Sequence, residues 1–109
     1  MRPLDPRTLD LHGAVLHSID VEPEQHQLRV RLEVVLDGQE AGTRTTCVIA
    51  FADVSSHTET IDWNELERHA PDGNVTSWTP AQGAGTTVFH LEHGFLSVTA
   101  ARVDVLVDT

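Results

Sequence analysis

Leu28-Arg29-Val30-Arg31-Leu32-Glu33-Val34-Val35-Leu36 decides the fold class of this chain, because every even position is apolar and most odd positions are charged. Side chains alternate between the two faces of an extended chain, so this pattern predicts a strand with one face buried and the other wet. Upstream, Val15, His17, Ile19 and Val21 alternate with Leu16, Ser18 and Asp20. The polar stretch Glu22 to Gln27, which holds Pro23, separates the two runs and predicts a hairpin. Downstream, the turn formers Asp37-Gly38-Gln39-Glu40-Ala41-Gly42 lead into Thr43 to Phe51, which places Thr45, Cys47, Ile49 and Phe51 on one face. Three strands in meander order are expected.

The period changes once. Asp62-Trp63-Asn64-Glu65 carries a capping acid with a Glu three residues on, and Trp63, Leu66 and Ala70 then recur at helical spacing. This predicts a short helix over 63–70 that buries Trp63 with its apolar stripe and ends before Pro71. Arg68 and His69 suit its C-terminal end, and Asp72-Gly73-Asn74 supplies a turn. Alternation resumes over Val75 to Thr79 and Thr86 to Glu92, interrupted by the loop Pro80 to Gly85. His93-Gly94 then has the form of a two-residue hairpin connection, with Gly94 free to take positive φ. Beyond it the apolar parity shifts from Leu96 and Val98 to Val103, Val105 and Val107, which predicts a bulge or bend near Ala100-Ala101.

Six or seven short strands and one helix in 109 residues predict a single, mainly β domain over 1–109, an antiparallel two-sheet sandwich or small open barrel. Residues 1–10 are expected to form a poorly ordered N-terminal arm. The N-terminus lacks the apolar segment of a secretory signal, and no run of about 18 apolar residues occurs, so a cytoplasmic protein is expected. The lone Cys47 sits in an alternating run and is expected to be a buried, reduced thiol.

Charge narrows the partners: 17 acidic residues against 7 basic ones give a formal −10. Nucleic acid and anionic membranes both call for clustered Lys or Arg, so neither is expected. All the basic residues are arginine, which with the many Ala, Gly, Val and Asp suggests a GC-rich bacterial genome.

The opening Leu11-His12-Gly13-Ala14-Val15-Leu16-His17-Ser18-Ile19-Asp20-Val21, followed by Leu28 to Leu32, and the closing Leu91-Glu92-His93-Gly94-Phe95-Leu96-Ser97-Val98-Thr99-Ala100 resemble small uncharacterised bacterial β-proteins. Some of those are assigned as immunity proteins of polymorphic-toxin systems. The resemblance implies a sandwich-like fold and binding to a protein partner. Those families commonly open with His-Asp-Ala, whereas this chain has His12-Gly13-Ala14, so no His–Asp pair is carried over.

Catalytic patterns are missing from the sequence. It holds no nucleophile elbow, Walker loop or dinucleotide fingerprint, and no enzyme activity or cofactor is expected. Seven histidines, at 12, 17, 26, 57, 69, 90 and 93, raise the question of metal. His90 and His93 diverge if they lie on a strand and its turn, so no metal site is expected. The alternative set is His12, His90 and His93, with Glu92 as carboxylate, assembled if the first and last strands lie side by side. His17, on an apolar face, reads as a neutral core residue.

The expected function is therefore a non-enzymatic protein-binding module, of immunity type, that neutralises a basic toxin; the alternative is a small-ligand or metal-binding β-barrel. Trp78, beside the 80–85 loop, is the expected anchor, with Glu65 and Glu67 steering the basic partner. Strand-rich ends and the row Val103, Val105 and Val107 invite pairing with a second copy, so a homodimer is expected.

Overall fold

The computed structural model describes residues 1–36 and 43–108. The turn expected at Asp37 to Gly42 lies outside the described residues. The elements run β1 (Arg2–Leu4), β2 (Val15–Glu22), β3 (Gln27–Val34), β4 (Thr45–Ile61), α1 (Trp63–His69), β5 (Val75–Thr79), β6 (Gly85–Leu91) and β7 (Gly94–Val107). All strand pairs are antiparallel, in the order β2-β3-β4-β7-β6-β5, with β1 added to β7. The result is one continuous sheet that curls around a single core and is not closed into a barrel.

The alternation that defines β3 is realised in full. Leu28, Val30, Leu32 and Val34 are all buried, against Cys47, Ile49 and Phe51 of β4 and Val105 and Val107 of β7. Burial of such side chains contributes roughly 1.5–3 kcal/mol each, which makes this face the main source of stability. Cys47 is free and buried.

β2 departs from the expected parity. A register shift between Leu16 and Ser18 makes His17 the extra residue, so Val15 and Leu16 are both buried and His17 turns outward. Its Nε2 lies 3.3 Å from Glu33 on the wet face of β3. The reading of His17 as a core residue is corrected by this bulge, which a strict two-residue period cannot register.

β4 is longer than the alternating segment. It continues past Phe51 through a second register shift between Val54 and Ser56, with Asp53 at φ 54°, to Ile61. The change of apolar parity in β7 lies close to this irregularity, which stands opposite Thr99 and Ala100. Residues 55–60 are exposed and polar, which is why their strand character is faint in sequence.

The N-terminal residues are built in. Arg2 to Leu4 pair with Val105 to Val107, Leu9 and Leu11 are buried, and Trp78 Nε1 donates to the Leu9 carbonyl at 2.9 Å. The expectation of a loose arm over 1–10 gives way to this pairing. For the same reason the valine row is not an open edge at Val105 and Val107, where β7 lies between β4 and β1.

The two ends of the sheet are bridged by Asn74. Its N–H donates to the Ala14 carbonyl at 3.0 Å, and its carbonyl accepts from Glu92 N–H at 2.9 Å. Its side chain accepts from Leu16 N–H at 2.8 Å and donates to the Leu66 carbonyl at 2.9 Å. One buried amide thus joins β2, α1 and the β6–β7 hairpin.

Candidate functional site

The end of the molecule that carries α1 and the β6–β7 turn gathers most of the chemistry. Asp62 caps α1, accepting Glu65 N–H at 3.1 Å, and Leu66 is the buried residue that seats the helix. With Leu66 facing inward, Glu65 and His69 fall one turn apart on a neighbouring face. Trp63 falls outside the contact and is 62% exposed. The expected apolar stripe Trp63-Leu66-Ala70 is therefore corrected: a helix this short buries only its central residue.

The turn that meets α1 is Glu92-His93, not His93-Gly94, because Leu91 pairs with Gly94. His93 holds the left-handed conformation, at φ 59°. Gly94 is required for a different reason from positive φ: a Cβ there would collide with the Thr60 carbonyl oxygen on β4. That close approach sets the hairpin tip beside the start of α1.

Glu65 lies between two histidines as a result. Its Oε2 is 3.3 Å from His69 Nε2 and 3.5 Å from His93 Nε2, while Oε1 accepts from Arg68 at 3.3 Å. The two imidazoles lie 29° from parallel with centroids 6.2 Å apart. Among the described residues this is the set of three or more metal-ligating side chains brought together, its donor atoms all within 4.8 Å of one another.

The set His12, His90 and His93 is not assembled. His12 Nδ1 meets the Thr76 carbonyl at 3.0 Å on the outer edge of β5, and His90 is paired with Ser77 and Phe95 within the sheet. The chain segment that approaches the sheet edge here is 9–14, and it sets His12 against Thr76 on β5.

Of the residues expected to meet a partner, Glu67 is exposed and Glu65 is half-turned toward the histidines. Trp78 is partly buried, its ring stacked on Phe89 at 5.6 Å and its N–H committed to Leu9. The exposed aromatic side chains at the α1 end are Trp63 and Phe95. His69 was legible only as a charge suited to a helix end, although Glu65 and His69 stand at i and i+4. What sequence could not supply is His93, 24 residues further on.

The hollows elsewhere are open. One of about 320 Å³ is lined by Asp5, Arg7, Gln82 and Val103, and another of about 190 Å³ by Pro23, His26, Val54 and His57. The second also holds Ser55 and Ser56; Ser55 Oγ donates to the Thr99 carbonyl at 3.3 Å, and His26 Nδ1 lies 3.3 Å from the Val54 carbonyl.

Comparison with known proteins yields no match: no family model, no curated protein and no solved structure corresponds to the chain.

Proposed function

We propose that this chain is a non-enzymatic module that binds a basic protein through the α1 end, in the manner of an immunity protein neutralising a basic toxin domain. The observation that carries this reading is Trp63, 62% exposed on a helix whose first turns hold Asp62, Glu65 and Glu67. A large ring held in water is costly unless something covers it, and Trp is enriched where partners bury. The acidic residues around it fit the overall charge of −10, which attracts cations over distances of about a Debye length. Phe95, 37% exposed at the start of β7, adds apolar area at the same end. A second copy of the chain has a separate place to pair, the edge of β4 over residues 55–61 that β3 does not reach.

The test expresses the chain with its genomic neighbours and measures binding of any basic product it retains. Association is expected to slow as salt rises while dissociation changes little, Glu67→Gln slows association, and Trp63→Ala speeds dissociation. Retention of no basic protein, or binding indifferent to both salt and Trp63, overturns the reading.

A further inference from the structure

We propose that Glu65, His69 and His93 form a binding site for a divalent transition metal of the zinc class, linking α1 to the tip of the β6–β7 hairpin. The donor set is one carboxylate and two imidazoles, which is the borderline-soft combination that suits zinc and leaves a fourth position for water.

The distances fit a bound metal. Here the two Oε2···Nε2 separations are 3.3 and 3.5 Å. Bonds of about 2.0–2.1 Å arranged tetrahedrally put neighbouring donors roughly 3.3–3.4 Å apart, so two of the three donor–donor edges already have the length a bound ion requires. The third edge, within 4.8 Å, closes by rotation of the His93 ring, whose side chain is 61% exposed.

Glu65 is also oriented as a ligand would be. Arg68 holds Oε1, which leaves Oε2 directed at both imidazoles, and the Asp62 cap fixes the backbone beneath it. Outer partners of this kind set ligand direction in metal sites. The site opens to solvent through His93, so an ion can enter without unfolding the sheet. Its three ligands come from two segments joined otherwise by Asn74 and by the β4–β7 pairing that ends at Ile61 and Gly94, so a bound ion adds a further staple between helix and hairpin.

This inference is independent of the proposed partner, and its test uses no partner. Untagged chain, stripped with a chelator, is titrated with zinc chloride by calorimetry. One ion per chain is expected. Loss of an outer partner alone weakens such sites by about 10–100-fold, so Glu65→Gln, His69→Gln and His93→Asn are each expected to weaken binding by at least about tenfold. Asn is chosen at 93 because it accepts the left-handed conformation, and circular dichroism verifies that each variant is folded. His12→Gln and His90→Gln are expected to bind like the parent. Excess zinc is also expected to raise Tm in the parent but not in the folded ligand variants. Absence of one-to-one binding, or binding that survives all three ligand variants, or binding lost equally in His12→Gln or His90→Gln, overturns the site.

Discussion

The side-chain oxygen of Asn74 accepts the backbone N–H of Leu16 at 2.8 Å, across 58 residues of sequence and between the two ends of the curled sheet. Its amide nitrogen donates to Leu66 at 2.9 Å. Both bonds are buried, so truncation leaves a donor and an acceptor without water. At roughly 1–3 kcal/mol for each orphaned group, Asn74→Ala is expected to cost about 2–4 kcal/mol. Urea unfolding checks this; a loss under about 1 kcal/mol would show that the bridge between the sheet ends is dispensable.

Gly94 and His93 are expected to respond in opposite ways. Gly94→Ala drives a Cβ into the Thr60 carbonyl and is expected to destabilise by more than about 1 kcal/mol. His93→Gly removes a left-handed non-glycine residue and is expected to leave stability intact or raise it slightly. Thermal unfolding of the two variants side by side distinguishes a turn limited by close approach from one limited by φ.

The two tryptophans are expected to separate cleanly by fluorescence. Trp63→Phe leaves the stacked Trp78, with blue-shifted emission shielded from acrylamide; Trp78→Phe leaves the exposed Trp63, red-shifted and readily quenched. Trp78→Ala is expected to cost about 2–4 kcal/mol, because it removes packing on Phe89 and the bond that holds Leu9. Trp63→Ala is expected to stay within about 0.5 kcal/mol.

Cys47 makes stability depend on alkaline pH. Burial pushes its thiol up to about 11, because a thiolate would be stranded in the apolar core, whereas the ordinary value is 9.0. The unfolded chain therefore ionises first. The contribution is complete below the unfolded value and is lost as pH rises through the folded one, so stability is expected to fall between about pH 9 and about pH 11. Urea midpoints for the parent and Cys47→Ala over that range check the sign: the parent is expected to lose more. The same burial predicts that thiol reagents label Cys47 slowly in the folded protein and quickly in urea.

Much of the β architecture was legible because its cause is local. Leu28 to Leu36 state which face is buried, Pro23 breaks the chain between β2 and β3, and Asp62 with Glu65 writes a helix start that the structure reproduces. Bulges were less legible. His17 and Val54/Ser56 shift register by one residue, and a one-residue slip moves every following side chain to the other face. The outer half of β4 escaped for a related reason: residues 55–60 are wet on both faces, so no apolar alternation marks them.

What the sequence determined by itself is the mainly antiparallel β class, the short capped helix, the buried thiol and the acidic charge, since each depends on composition or on neighbours within one turn or one strand. Tertiary structure alone decided which tryptophan faces water and which histidines meet. Trp63 is exposed because Leu66 takes the helix's one buried position, and Trp78 turns inward because Leu9 offers it a carbonyl from 69 residues away. Glu65, His69 and His93 converge because Gly94 lets β7 press against Thr60 on β4, a contact between backbones that no spacing in the sequence encodes.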